Sequence, residues 1–428
     1  MLLSLAIAVF AGGMIIGVPV AFALGFASVV YVLLSNESIV ILPTLIFGGM
    51  DSFPLLGIPF FILAGDLLSR SGMLQKMISF SQAIMGPLRG GLAQVNVGSS
   101  MLFGGVTGVS VADAAAVGRT LIPAMVDSGY RRGFAAALTA CSSVMGAIIP
   151  PSVSMLIVAY LYGGQISIGK LFLAGAVPGL LIGLAMMSLV AFMARRQNLP
   201  RGSEGWSLHH IANEAVGAAL GLVVPVVVIG GIVGGIFTAT EAGAIAVAYA
   251  LLIGLATRSL STRDIYDALL LSAKTSGLVF ILLAAAKVFA WVLTINLFSI
   301  HVSEFIQSYI SSPTLFLLVA ITIFLLLGFV LEGVASMIML LPVLVPLAKI
   351  YGIEPHHFAL LVVMTIQIAL VTPPVALGLF IVSPFAGCTV KDAATEALPF
   401  IGAILAIILL TLFVPQVAMW LPRQFGYP

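Results

Sequence analysis

Charged residues and cysteines are scarce in this chain. Only 7% of its 428 residues are charged, whereas 61% are hydrophobic, and the formal net charge at pH 7 is +2. That composition excludes a soluble globular protein, and so small a net charge indicates no nucleic-acid partner. The two cysteines, Cys141 and Cys388, both lie among apolar neighbours. They argue against a disulfide framework and against a thiolate metal site.

The signatures of common enzyme classes are also missing. The sequence contains no HExxH, GxSxG or Walker motif and no G-x-G-x-x-G after a strand, and its five histidines fall in loops or at ends. An intramembrane enzyme would need a polar pair at one depth, and no pair has convincing spacing. A channel is disfavoured because nothing indicates a ring of symmetric pore helices. We therefore expect no enzyme activity.

Long apolar runs are what the sequence does have. Runs able to cross ~30 Å of hydrocarbon recur along its whole length, which predicts an all-α polytopic membrane protein. The first residues lack the basic segment and cleavage site of a secretory signal, so we expect them to be retained. Residues 2–34 would span about 50 Å as one helix. A break at 17–19 would give two helices instead, and the side on which residue 1 lies stays open.

An internal repeat predicts the organisation of the chain. Residues 134–151 read FAAALTACSSVMGAIIPP and residues 358–374 read FALLVVMTIQIALVTPP, with Phe-Ala at the start and Pro-Pro at the end of both. Each follows a long apolar stretch with glycines at its centre. We expect two repeats, each with a re-entrant hairpin and a broken helix. The predicted ranges are a first repeat at 1–200 (hairpin about 90–130, broken helix about 133–162), a cytoplasmic linker at 201–215, and a second repeat at 216–428 (hairpin about 313–348, broken helix about 358–386).

Positive charges predict the orientation of these repeats. Lysine and arginine concentrate in short cytoplasmic loops. The first hairpin is flanked by arginines at both ends, whereas the flanks of the second are poor in them. The hairpins should therefore enter from opposite faces, as in the inverted repeats of many secondary transporters. The arginines used are Arg89, Arg131, Arg132, Arg195, Arg196, Arg201, Arg258 and Arg263.

The two Pro-Pro pairs predict ion sites at mid-membrane. Adjacent prolines unwind a helix, and the freed carbonyls must be satisfied by protein, water or an ion. Carbonyl and hydroxyl oxygens together suit Na⁺. The alternative is a plain kink whose hydroxyls bond their own helix. Predicted first-site residues are Thr107, Gly108, Ser110, Ser142, Ser143, Gly146 and Pro150, and predicted second-site residues are Gly333, Ser336, Thr365, Thr372 and Pro373.

A few polar residues inside apolar runs are further candidates. Glu332, at the centre of the second hairpin, could coordinate a cation, carry a proton or cap a helix. Arg119 and Lys287 could pair with a carboxylate, meet an anionic substrate or reach an interface. With Ser152, these three are the candidate substrate contacts. Two caps are also predicted: Asp113 at the second helix of the first hairpin, and Thr238 with Glu241 as a capping box.

Several longer motifs resemble one family specifically. They include GIPFFILAGDLLSRSG at 57–72, GGVTGVSVADAAAVGRTLIPAMVDSGY at 104–130, IIPPS followed by SIGKLFLAGAVPGL, TATEAGAIAVAYALL at 238–252 and the VTPPVALGLF run. Over essentially its whole length the sequence resembles the large membrane subunit of tripartite ATP-independent periplasmic (TRAP) transporters, of the DctM or SiaM type. Arg119 and Lys287 stand where this family pattern leads us to expect small or neutral residues, whereas an acidic residue is common at Glu332.

The resemblance implies a mechanism and partners. It implies an elevator transporter of the bacterial inner membrane, in which hairpins and broken helices move against a scaffold. It further implies about two coupling Na⁺ ions, no organic cofactor, a small four-helix membrane subunit and a periplasmic binding protein that delivers an organic acid. Sialic acid and C4-dicarboxylates are its best-known cargoes. A self-sufficient Na⁺/carboxylate symporter and a structural anchor are the remaining alternatives.

Overall fold

The described chain is helical, and its helices follow one another with short connections. A computed structural model describes residues 1–196, 199–200, 205–329, 331–374 and 376–427, and no strand occurs within these ranges. The first ten helices are α1 (Leu2–Ile15), α2 (Val20–Leu34), α3 (Ile41–Met50), α4 (Gly57–Arg70), α5 (Met73–Met85), α6 (Gly91–Thr107), α7 (Ser110–Asp127), α8 (Arg132–Ser143), α9 (Val153–Leu161) and α10 (Ile168–Arg196). The others are α11 (Leu208–Val233), α12 (Ala239–Ala256), α13 (Thr262–Ile295), α14 (Phe298–Tyr309), α15 (Pro313–Gly328), α16 (Gly333–Ile350), α17 (Pro355–Ala369), α18 (Leu377–Ala386), α19 (Val390–Phe413) and α20 (Gln416–Gln424).

The lengths of these helices fit a multi-pass membrane protein. Seven of the described helices are long and apolar enough to cross a membrane, or eight if the bent pair α14–α15 counts as one span. At the N-terminus the two-helix alternative is confirmed. The chain turns at Gly17, whose φ of 85° suits glycine, and α2 starts directly after Pro19.

One predicted boundary was wrong because local capping extends a helix. A cytoplasmic linker was expected at 201–215, but α11 begins at Leu208, where the Ser207 hydroxyl accepts from the His210 N–H group. Of this linker, Arg201 lies outside the described residues. Helix α13 likewise begins at a cap, the capping box made by Ser261 and Asp264.

The two broken helices form the centre of the molecule. All residues of α8 from Gly133 to Ser143 are buried, and so are all residues of α17 from His356 to Ala369. A helix that is covered on every side lies in the middle of a large protein. Helices α6, α7, α18 and α19 pack around α8, while α15 and α16 pack against α17. This packing places the first predicted break deep inside the described structure, whereas Pro373 and Pro374 at the second break are exposed.

Candidate ion-binding site

The first broken helix is interrupted where the sequence predicts it. Helix α8 ends at Ser143, a short 3₁₀ turn follows at Val144–Ala147, and α9 begins only at Val153. Ser152 is the N-cap of α9: its hydroxyl oxygen accepts from the Met155 N–H group, and the hydroxyl donates to the Ala147 carbonyl at 2.6 Å. Ser152 therefore has a structural partner on each side, and its contact with substrate stays a prediction.

The tip of the first hairpin rests against this break. Helix α6 ends at Thr107, Gly108 turns the chain with φ of 65°, and α7 begins at Ser110. The Gly108 carbonyl accepts from the Val153 N–H group at 3.1 Å. A Cβ atom on Gly108 would stand 2.7 Å from the Pro151 carbonyl oxygen, so both the turn and the close approach require glycine.

Asp113 was predicted to cap α7, and this prediction is wrong. The N-cap is Val109, because only Gly108 and Val109 separate α6 from α7, and Asp113 therefore falls inside the first turn. Its carboxylate is fully buried beside Gly146, where an added Cβ atom would stand 3.2 Å from the Asp113 Cβ atom. Neither carboxylate oxygen has a hydrogen-bond partner among the described residues. A buried carboxylate without a donor is unfavourable, so this position suits a cation.

The hydrogen-bond partners of Ser142 and Ser143 do not include the residues of the hairpin tip, Thr107 to Ser110. The Ser143 hydroxyl donates to the Ala140 carbonyl of its own helix at 2.7 Å. Ser142 lies instead within a buried cluster with Asn96, Ser100 and Thr139, which the sequence analysis did not single out. The available signal was the presence of polar residues inside apolar helices, which marks functional candidates in membranes.

The second hairpin meets the second broken helix through glycines. A Cβ atom on Gly333 would stand 2.4 Å from an Ile366 methyl group, and one on Gly328 would stand 2.4 Å from Ala369. Ser336 is fully buried just behind this tip. The unwound segment runs from the end of α17 to α18; Val375 within it lies outside the described residues. Among the predicted residues here, Pro373 is exposed and Gly333 is buried.

The threonines of the second site bond their own helix. The Thr365 hydroxyl donates to the Leu361 carbonyl and the Thr372 hydroxyl to the Ile368 carbonyl, both at 2.7 Å. Hydrogen bonds of this kind are what the alternative interpretation, a plain kink whose hydroxyls bond their own helix, predicts. Each bond uses the hydroxyl hydrogen and leaves lone pairs on the oxygen, so a role as ion ligands stays a prediction.

Gln367 of α17 joins the tip of the first hairpin to α9, and the sequence analysis missed it. Its amide oxygen accepts from the Ser110 hydroxyl at 2.7 Å, and its amide nitrogen donates to the Ser154 hydroxyl at 3.0 Å. The Ser110 hydroxyl also lies 3.4 Å from the Val144 carbonyl. Side chains of both predicted repeats therefore meet at the tip of the first hairpin.

The three charged candidates for substrate contact lie on three different helices. Glu332 is the N-cap of α16, where its carboxylate accepts from the Ala335 N–H group at 3.4 Å. Arg119 is exposed on α7, about 13 Å along the helix from Ser110. Lys287 is exposed on α13 beside Gly49 of α3. The structure does not bring Arg119 to the hairpin tip.

The capping box of Thr238 and Glu241 is confirmed.

The groups that could bind a cation at the centre of the protein are oxygen atoms. Within the described ranges, no group of three or more histidine, cysteine, aspartate or glutamate side chains could hold a metal ion. Hydroxyls, carbonyls and one carboxylate suit a hard cation of low charge.

Comparisons with known proteins agree with this architecture. A family model described as "Tripartite ATP-independent periplasmic transporter, DctM component" matches residues 7–417. The isethionate TRAP transporter permease protein DctMQ of Oleidesulfovibrio alaskensis is 35% identical over 96% of this chain, which spans 65% of that protein's length. The sialic acid TRAP transporter large permease protein SiaM of Vibrio cholerae is 33% identical, with 96% of both chains covered. The C4-dicarboxylate TRAP transporter large permease protein DctM of Pseudomonas aeruginosa is 36% identical, with 94% of both covered.

Two solved structures share the fold. The YdaH transporter of Alcanivorax borkumensis aligns with a TM-score of 0.60 and 15% identity, covering 92% of this chain and 91% of that one. MtrF of Neisseria gonorrhoeae aligns with a TM-score of 0.58 and 16% identity, covering 89% and 85%. At such identities the likeness concerns the fold alone.

Proposed function

Because the chain belongs to the DctM family of tripartite ATP-independent periplasmic transporters, as a large permease subunit in the bacterial inner membrane, we propose that it imports an organic acid together with Na⁺. The observation that carries the sodium part is the buried Asp113 carboxylate beside Ser110 and Gly146, without a hydrogen-bond donor among the described residues. A monovalent cation would neutralise this charge and use the oxygen atoms around it.

The first Na⁺ is held between the first tip and the first break. Its proposed ligands are the Asp113 carboxylate, the Ser110 hydroxyl oxygen and the Val144 carbonyl, which already lies 3.4 Å from that hydroxyl. Gly146 leaves room for the ion because it carries no side chain. The second Na⁺ is held at the equivalent place by oxygen atoms of Ser336, Thr365 and Thr372, around the Gly333 tip.

The substrate lies between the two tips. Helices α7 and α16 both begin at a hairpin tip, and the positive ends of their dipoles favour an anionic group there. The relatives are named for isethionate, sialic acid and C4-dicarboxylates, which are all small organic anions. We therefore propose a small organic acid as the cargo, with Glu332 and Ser152 at the edge of its site.

The chain works with two partner proteins and moves its substrate by a movement of one part of the protein against another. The tripartite family description supports a small four-helix membrane subunit and a periplasmic binding protein. Hairpins and broken helices pack closely on one another and form one moving body. The proposed scaffold consists of helices such as α2, α3 and α13, and α13 packs against both of the others.

Uptake into proteoliposomes tests this function. The chain and its small partner are reconstituted, a Na⁺ gradient is imposed, and uptake of labelled sialic acid, succinate or isethionate is followed with and without the matching binding protein. Uptake that needs both Na⁺ and the binding protein supports the proposal. Uptake that needs Na⁺ but not the binding protein would instead support the self-sufficient symporter. Uptake that does not depend on Na⁺ would refute sodium coupling.

A further inference from the structure

A lysine lies near the middle of the apolar part of α13. The apolar run extends over residues 277–295, and Lys287 stands close to its centre. From Lys287 to the end of the helix at Ile295 is about 12 Å along the axis, which exceeds the reach of the four-carbon stem of lysine. The ammonium group therefore needs a polar environment at mid-membrane.

Lys287 is exposed although the helix around it is covered. Residues 282–286 before it are all buried, and so are Val288 and Phe289 after it. Neighbouring residues of a helix point in different directions around its axis, so protein surrounds this part of α13 on nearly every side. The side chain of Lys287 therefore faces a gap between elements of the protein.

This gap lies where the proposed scaffold meets the proposed moving body. Helix α3 packs so closely on α13 that a Cβ atom on Gly49 would stand 2.9 Å from the Lys287 Cβ atom. The Gly49 carbonyl also accepts from the Tyr160 hydroxyl at 2.7 Å, and Tyr160 belongs to α9 of the first broken helix. Helix α16 of the second hairpin packs against α13 as well. Lys287 thus stands beside elements of both bodies.

The charge of Lys287 has no counter-charge in the described part of the chain. Its ammonium group forms no salt bridge with a carboxylate of the described residues. An unpaired positive charge in a gap walled by apolar helices attracts an anion more strongly than a charge in open water does. The proposed cargo, an organic acid, is an anion that has to pass along this boundary.

We propose that Lys287 is a specificity-determining residue of the scaffold, which binds the anionic group of the substrate while the moving body carries it past α13. The inference rests on the proposed import of an organic acid and extends it to the stationary side of the protein. The hairpin tips hold the substrate on the moving body, whereas Lys287 offers a positive charge on the scaffold. The small or neutral residue that the family pattern leads us to expect here would lack that charge.

Cysteine labelling tests whether the gap contains water. Lys287→Cys is made in a Cys388→Ser background, because Cys388 is partly exposed while Cys141 is fully buried. A water-soluble thiol reagent, applied to both sides of the membrane, should label Lys287→Cys in the reconstituted complex with the small subunit. Leu278→Cys is the matched control, since Leu278 is 71% exposed on another side of the same helix and should face lipid. Labelling of Lys287→Cys as weak as that of Leu278→Cys would overturn the inference.

Uptake into proteoliposomes tests the role of the charge. The probe is the labelled acid that the wild type imports among sialic acid, succinate and isethionate, supplied with its binding protein below saturation. Lys287→Met should lower the initial rate by at least about tenfold, because a charge-assisted contact is lost. Lys287→Arg should keep most of the rate, and the Na⁺ concentration for half-maximal uptake should not change in either variant. Lys274→Met, an exposed lysine nearer the start of α13, is the control.

The outcomes separate this inference from the proposed function. Absence of Na⁺-driven uptake by the wild type would refute the proposed function, whereas wild-type uptake that Lys287→Met leaves unchanged would overturn this inference alone. Loss of the small subunit from the purified Lys287→Met complex would also overturn it, because the lysine would then pair with that partner. Should Lys287→Met fail to fold, Lys287→Gln, which is neutral but polar, decides in its place.

Discussion

The hydroxyl group of Ser110 donates a 2.7 Å hydrogen bond to the amide oxygen of Gln367, 257 residues further along the chain. Ser110 begins the second helix of the first hairpin, whereas Gln367 lies near the end of the second buried helix, α17. The same glutamine also donates to Ser154 in α9. One side chain thus holds a hairpin tip and both broken helices in register.

Replacing Gln367 by methionine should separate these elements. Methionine keeps the approximate volume but removes both hydrogen bonds, and it leaves the buried Ser110 hydroxyl without this acceptor. We expect uptake to fall by about tenfold or more, because buried polar groups that lose their partner are strongly disfavoured. Gln307→Met, an exposed position on α14, is the control. Unchanged uptake by the Gln367 variant would show that the bridge is dispensable.

Removing the charge of Asp113 should weaken the dependence on Na⁺. Asn keeps the shape of the side chain but cannot neutralise a cation, so Asp113→Asn should raise the Na⁺ concentration for half-maximal uptake by at least about tenfold. Ser110→Ala and Ser336→Ala should shift the same curve less, at the first and second sites. Na⁺ curves that superimpose on wild type in all three variants would contradict the proposed sites.

Because α6 lies in close contact with the first break, we expect the protein to tolerate an added methyl group at Gly104 poorly. A Cβ atom on Gly104 would stand 2.8 Å from the Gly146 Cα atom. Gly104→Ala should therefore lower stability by about 1–3 kcal/mol and reduce uptake. Gly277→Ala in α13 meets nothing within 4 Å and should stabilise its helix slightly. Thermal unfolding of both variants checks this, and equal midpoints would argue against the contact.

Two substitutions at Glu332 distinguish the contribution of its negative charge to uptake from the contribution of its helix cap to stability. Glutamine retains an oxygen that can accept from the Ala335 N–H group, whereas alanine cannot. Glu332→Gln should keep thermal stability but reduce uptake, while Glu332→Ala should also lower stability by about 0.5–2 kcal/mol. Uptake and unfolding are measured on the same preparations. Normal uptake by the glutamine variant would assign Glu332 a structural role alone.

Glu354, in the loop between α16 and α17, predicts a pH dependence. Burial raises its pKa, but hydrogen bonds from His356, the His357 N–H group and Lys170 outweigh burial and lower the pKa of Glu354 from 4.5 to about 2. A lowered pKa contributes stability above pH 4.5 that is lost as the pH falls toward the folded value. The side chain is 36% exposed, so solvent screening limits this contribution to about 1 kcal/mol or less.

Glu354→Gln should therefore unfold slightly earlier than wild type at neutral pH. The difference in midpoint should stay constant down to about pH 4.5 and then shrink. Glu304→Gln on α14 is the control, because Glu304 is exposed. A difference that disappears well above pH 4.5 would contradict the lowered pKa.

The sequence predicted the interruptions of the helices because their causes are local. Paired prolines cannot continue a helix, and glycines permit the turn at Gly108 and the tight packing of Gly333. The capping box of Thr238 and Glu241 also needs only residues of one turn. The start of α11 was predicted too late, because a capping residue starts this helix before the apolar run begins.

Contacts between residues that are distant in the sequence could not be predicted in this way. Asp113 was assigned to a cap because its position after a glycine-rich turn suggested one, yet the register of α7 buries it beside Gly146. Ser142 was placed at the tip, but the packing of α8 on α6 turns it toward Asn96. The bridge from Ser110 to Gln367 joins distant segments, and no local pattern marks it.

The sequence by itself determined the membrane class, the family and the places where helices break, since each depends on composition or on a few adjacent residues. Only the tertiary structure decided which side chains face the breaks. That choice depends on the rotation and depth of each helix against its neighbours, and these are set by close packing among α6, α7, α8 and α17 rather than by any single segment.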